Sequence, residues 1–151
     1  MLVAALASGC GPEIDLSKGL QVVELSSGWS DGGMVDGQNK IVPWVTFKLK
    51  NVSDQRLQAL QANAVFRQTG KPDEWGSQFS IVRGSEGLAP GEVTAPITLR
   101  SLHGYTSAAP KAEMLANKSF VDAKADLFAK YASVRWKQIG DVPVERRLVT
   151  N

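Results

Sequence analysis

The feature that most limits what this chain can fold into is a period-two alternation of apolar and polar residues, recurring through most of its length. Val45, Phe47 and Leu49 interleave with Thr46, Lys48 and Lys50, and Leu60, Ala62, Ala64 and Phe66 stand against Gln61, Asn63 and Arg67. Successive side chains of an extended strand point to opposite faces, so this spacing gives each strand one apolar and one wet face; an amphipathic helix would repeat near every 3.6 residues. The two runs flank the turn-like Asn51-Val52-Ser53-Asp54 and together predict a hairpin. Further strands are predicted over 20–25, 76–82 and 93–99, punctuated by Gly70-Lys71-Pro72-Asp73 and Leu88-Ala89-Pro90-Gly91. From Val121 to Tyr131 the apolar positions again alternate with Asp122, Lys124, Asp126 and Lys130; the Ala-rich composition also suits a helix, and the alternation selects a strand. Val134 and Trp136 carry the pattern into a last pair of strands before Pro143. Pro110 followed by Lys111-Ala112-Glu113-Met114-Leu115 predicts one short helix capping an end. Seven or eight strands with one short helix predict an all-β, immunoglobulin-like antiparallel β-sandwich over residues 20–151.

Composition agrees with one folded domain and removes several classes of function. A chain of 151 residues, 43% hydrophobic and 21% charged, buries enough apolar surface to fold without disulfides or metals. Its 17 basic and 15 acidic residues are dispersed, leave a net charge of +2 and form no basic run, so nucleic acid is not an expected partner. A single cysteine allows neither an intramolecular disulfide nor a thiolate metal cage, and no metal or cofactor motif is present.

That cysteine follows a short apolar run, Leu2 to Ala7, in the sequence Ala7-Ser8-Gly9-Cys10. The segment resembles the end of a bacterial lipoprotein signal peptide, in which small residues precede a cysteine that carries diacylglycerol. Leu6 stands one position earlier than that pattern prefers, and no Lys or Arg precedes the run, so residues 1–10 resemble a truncated signal peptide with its lipobox. The resemblance implies lipid attachment at Cys10 and a polar linker over 11–19. It also implies export to face the periplasm, with Gly11 favouring the outer membrane. No later segment approaches ~18 continuous apolar residues, so the lipid would be the membrane anchor.

A second resemblance covers about 60 residues, from Ile41 to Arg100. It rests on Val45-Thr46-Phe47-Lys48-Leu49-Lys50-Asn51-Val52-Ser53, on Ala62-Asn63-Ala64-Val65-Phe66-Arg67-Gln68-Thr69-Gly70, and on Gly87-Leu88-Ala89-Pro90-Gly91-Glu92. These stretches resemble the bacterial FxLYD and related immunoglobulin-like domains of exported proteins, although Phe66-Arg67-Gln68 stands in place of the name-giving motif. The resemblance implies a binding or assembly role.

Candidate chemistry is thin. Gly28-Trp29-Ser30-Asp31-Gly32 has the G-x-S-x-G spacing of a nucleophile elbow, but no helical pattern follows it and His103 is the sole histidine, so a loop is the plainer account. Asp31 and Asp36 share a Gly-rich stretch without the spacing of a calcium loop, and a long hairpin connection explains them. Of the four tryptophans, Trp44 follows Pro43 on the face opposite Val45, Phe47 and Leu49, which makes it the first candidate for a contact surface, with Trp75 next. These readings together predict a non-catalytic, lipid-anchored cell-envelope binding or adaptor module with a protein partner. The alternative is a small-ligand carrier or enzyme accessory domain, holding a lipid, glycan or metal in a cleft near Met114.

Overall fold

The computed structural model describes residues 12–149. The expected all-β sandwich is present, and its strand order is that of the immunoglobulin-like Greek key. One sheet contains β1 (Leu20–Val35), β2 (Gln38–Asn51), β5 (Ile97–Arg100), β6 (Tyr105–Ser107) and β9 (Leu148–Val149), in the order β5-β2-β1-β9 with β6 also on β2. The other contains β3 (Gln61–Gln68), β4 (Gly76–Ile81), β7 (Ala123–Lys130) and β8 (Lys137–Pro143), in the order β4-β3-β7-β8. All pairings are antiparallel except β1 with β9. The chain passes between sheets after β2, β4, β6 and β8, and β7 enters between β3 and β8, so the sheets correspond to strands A-B-E, with β9 added beside A, and C′-C-F-G of an immunoglobulin fold.

The core lies where the alternation placed it. Trp29, Val45, Phe47, Leu49 and Leu99 of the first sheet face Ala62, Ala64, Phe66, Ala125, Leu127 and Ala129 of the second, all essentially inaccessible to solvent. Facing sheets pack about 10 Å apart, and large rings from one side need small partners on the other. This explains the Ala-rich β7: its alanines make room for Phe47 and Trp29, and burial outweighs their helical preference. The predicted helix is α2 (Lys111–Met114), starting after Pro110.

Four expectations are corrected. The runs around residues 45–49 and 60–66 do not form a hairpin. β2 and β3 lie in different sheets, and the connecting residues cross the core edge with Leu57 and Leu60 fully buried. β1 does not end near residue 25. It continues to Val35, and the supposed Gly-rich connection reduces to a two-residue turn at Asp36 and Gly37, both at positive φ (51° and 77°), the geometry of a type I′ hairpin. Val134 and Trp136 lie in the β7–β8 connection, not in a strand. Finally, the stretch read as a polar linker contains α1 (Leu16–Gly19), capped by Asp15, and Leu16 is buried at 1% exposure. The Ile14 N–H donates to the Tyr131 hydroxyl at 2.7 Å, so the chain is fastened to the domain from Ile14 onward.

Candidate contact surface

The outer face of the second sheet carries the largest exposed apolar groups that share one strand face. Phe79 and Ile81 alternate on β4 with Ser80 between them and are 62% and 70% exposed. Register pairs Phe79 with Asn63, Asn63 with Phe128, and Phe128 with Gln138, which forms one row across four strands. The next row sets Ile81 against Gln61 and Lys130, and the row on the other side sets Ser77 against Val65 and Asp126. Residues opposite one another in such a ladder share a face, so Phe79, Phe128, Ile81 and Val65 make an apolar strip interleaved with uncharged amides. Charges lie at its margin. Arg67 Nε pairs with Asp126 at 3.1 Å, and Lys130 Nζ sits 5.5 Å from the centroid of the Trp136 ring. An apolar centre with a charged rim is the anatomy of a protein interface.

β4 is also the edge of this sheet, with β3 as its only strand partner among the described residues. Gln78 Oε1 accepts from the Arg100 N–H at 2.8 Å and links it to β5, a side-chain tie in place of a backbone ladder. An edge strand of this kind presents backbone donors and acceptors beside the apolar strip.

The two tryptophans singled out from the sequence lie elsewhere and apart. Trp44 is on the outer face of the first sheet, as its alternation required, but only half exposed. Arg147 stacks over its ring at 5.4 Å, and Arg100 is its register partner on β5. Beside it is a depression of about 260 Å³ lined by Ser30, Thr46, Thr98 and Val149. Trp75 is half buried in an aromatic cluster at one end of the sandwich, with ring centroids 6.1 Å from Trp29 and 4.9 Å from Tyr105, and Phe120 completing the group. It braces the end loops more than it offers a contact. The sequence reading missed Phe79 and Ile81; the signal available was their alternation across Ser80 in a strand bounded by Gly76 and Arg83. Cys10 lies outside the described residues.

The residues weighed for catalysis serve the fold. Ser30 sits in mid-strand on β1, with Trp29 beside it pointing into the core, not on a strand-to-helix turn. His103 is exposed in a loop, where its N–H donates to Ser101 Oγ. Asp31 is ion-paired with Lys111 and accepts from the Gly33 N–H, and these hold its carboxyl below the usual carboxylate range, the Lys111 hydrogen bond contributing most. Among the described residues no three Cys, His, Asp or Glu side chains gather into a metal cluster, and no helix is long and apolar enough to cross a membrane. The space near Met114 is about 130 Å³, below the roughly 300 Å³ at which ligand pockets begin.

No protein-family profile and no curated protein matches the chain. Among solved structures, Northeast Structural Genomics Consortium target SoR45 is similar over 85% of this chain and 88% of its own, with 14% identity and a TM-score of 0.47. The fold assignment rests on the strand order itself.

Proposed function

We propose that this domain is a non-catalytic binding or adaptor module of the cell envelope, anchored through a lipid on Cys10, which holds a protein partner against the β4-β3-β7-β8 sheet. The observation that carries the reading is the apolar strip of Phe79, Ile81, Phe128 and Val65 beside the open β4 edge. Side chains as exposed as Phe79 and Ile81 add little to the stability of the isolated domain, and gathered on one sheet face they match a recognition surface. The small volume near Met114 weighs against a carrier with its ligand in that cleft.

The test is a pull-down from solubilised membranes with the full chain as bait, comparing it with Phe79→Ser/Ile81→Ser. The partner recovered by the wild type should fall at least tenfold with the double variant, while the variant's thermal unfolding stays close to that of the parent. Equal recovery by both baits would remove this sheet from the interface. Mass spectrometry of the mature protein addresses the anchor separately and should find an acylated Cys10 as its first residue; an intact, unacylated terminus would refute the anchor and the localisation.

A further inference from the structure

We infer that the end of the sandwich bearing the β7–β8 connection docks onto an anionic lipid surface, with Trp136 seated in the headgroup region. The inference rests on the proposed anchor at Cys10 for its setting, and on the structure of residues 12–16 and 130–137 for its content. Trp136 is 40% exposed on a short connection, flanked in sequence by Arg135 and Lys137, with Lys130 against its ring. An amphipathic indole among cations is the side-chain set that favours the boundary between headgroups and acyl chains, where the ring is half desolvated and the cations meet lipid phosphates.

The position of this connection decides which surface it meets. The Gln55 side-chain amide donates to the Pro12 carbonyl at 3.0 Å, the Ile14 N–H is held by Tyr131, and Lys137 lies 3.7 Å from Asp15. The start of the described chain is therefore pinned against the end that carries Trp136. A single residue, Gly11, separates Pro12 from Cys10, and the two Cα-to-Cα steps reach about 7 Å at full extension. A lipid on Cys10 would bring this end of the domain to the bilayer with a gap narrower than one α-helix, roughly 10 Å across. A folded partner has no room there. Between residues 13–16 and 134–137 lies a hollow of about 440 Å³, open to the same end and of a size to admit a headgroup. Glu13 and Asp15 border it as the opposing charges; Asp15 is engaged by Ser17 and Lys137, leaving Glu13 against Arg135 in the hollow and Lys130 at the Trp136 ring beyond it. The strands run away from this end, so the Phe79–Asn63–Phe128–Gln138 row would lie parallel to the bilayer, one row farther from it than Ile81–Gln61–Lys130.

The test uses the sole thiol of the chain. Full-length protein with a free Cys10 is coupled to maleimide lipid in vesicles of phosphatidylglycerol and phosphatidylethanolamine whose acyl chains are brominated. Tryptophan quenching is then compared for wild type, Trp136→Phe and Arg135→Gln. Docking predicts quenching in the wild type that disappears in W136F and is weaker on phosphatidylcholine. For R135Q it predicts about a fivefold fall in the docked-to-undocked ratio, the worth of one surface cation. Circular dichroism confirms that both variants fold. Wild type and W136F quenched alike would overturn the inference. So would a wild type with Trp136 unquenched on every vesicle. Because coupling is chemical, failure here is distinct from failure of Cys10 to be acylated in the cell.

Discussion

Asn51 shows how one side chain can join segments far apart in sequence. Fully buried at the end of β2, it donates from Nδ2 to the carbonyls of Gln55 and Leu88, both at 2.8 Å, and its Oδ1 accepts from the N–H and hydroxyl of Ser53. Its own carbonyl takes the Gly91 N–H at 2.7 Å. Asn51→Ala would delete four hydrogen bonds, leaving the Leu88 carbonyl to the Leu57 N–H, the Gln55 carbonyl to the Ser53 hydroxyl and the Ser53 N–H without its partner, and bonds of this kind contribute about 1 kcal/mol each. A loss of about 3 kcal/mol in chemical denaturation is expected, whereas Ser53→Ala, at a half-exposed site, should cost about 1 kcal/mol. The Asn-x-Ser strand end and the Leu-Ala-Pro-Gly turn, prominent in the sequence as separate motifs, thus meet as one hydrogen-bonded corner. Their chemistry was legible, and their contact was not, because nothing local states that residues 51 and 88 are neighbours. The tryptophans are the reverse case. Alternation correctly set Trp44 on an outer face, but no pattern reveals that Arg147, from the far end of the chain, covers its ring.

Among the elements, β1 was the hardest to read, and the reason is glycine. Gly28 and Gly32 look like turn formers, yet both lie within the strand. A Cβ on Gly28 would stand 2.9 Å from the Trp44 ring and 3.1 Å from Arg147 Cγ, and one on Gly32 would stand 3.0 Å from Lys40 Cγ. These are packing glycines, which a sequence cannot distinguish from the turn glycine at Gly37. The extended hairpin that results is tied to α2 by the Asp31–Lys111 ion pair. Because that contact and the Gly33 N–H lower the Asp31 pKa on folding, the stabilisation is fully present above the unfolded carboxylate value of about 4. It is lost as pH falls through the lower folded value. Carboxyl carbon shifts followed by NMR should show Asp31 titrating below an ordinary aspartate, and Lys111→Gln should move it upward. Titration unchanged by K111Q would show that the backbone N–H alone sets it. The erroneous hairpin between the β2 and β3 runs has a similarly physical origin. Alternation specifies which face of a strand is apolar but not which sheet it joins, and the nine residues between Asn51 and Gln61 were enough to cross the core edge.

At the scale of the molecule, alternation and turn signals were sufficient for an all-β sandwich, because one-sided strands need a facing apolar layer, although nine strands and two short helices are described where seven or eight and one were expected. What they could not convey is how the domain begins. Residues 12–19 are polar on balance, which suggests a free spacer, but Leu16 inserts fully into the core and α1 packs on β8. Two apolar residues, Ile14 and Leu16, in a polar stretch are a weak signal in sequence and a firm fastening in space. The consequence concerns reach. A spacer of nine free residues would let the domain swing away from an anchored terminus, whereas a chain held from Ile14 leaves the domain close to it. Leu16→Ala should therefore behave as a core mutation and not a linker change, costing about 3 kcal/mol with a single cooperative transition. Native-state hydrogen exchange should show the Lys18, Gly19 and Val52 amides, which are bonded to Asp15 and Gly19 carbonyls, opening sooner than the β3–β7 ladder in the variant. A cost below about 0.5 kcal/mol, the range of ordinary surface substitutions, would mean that the segment is a spacer after all, and with it would go the close approach of the Trp136 end to the membrane.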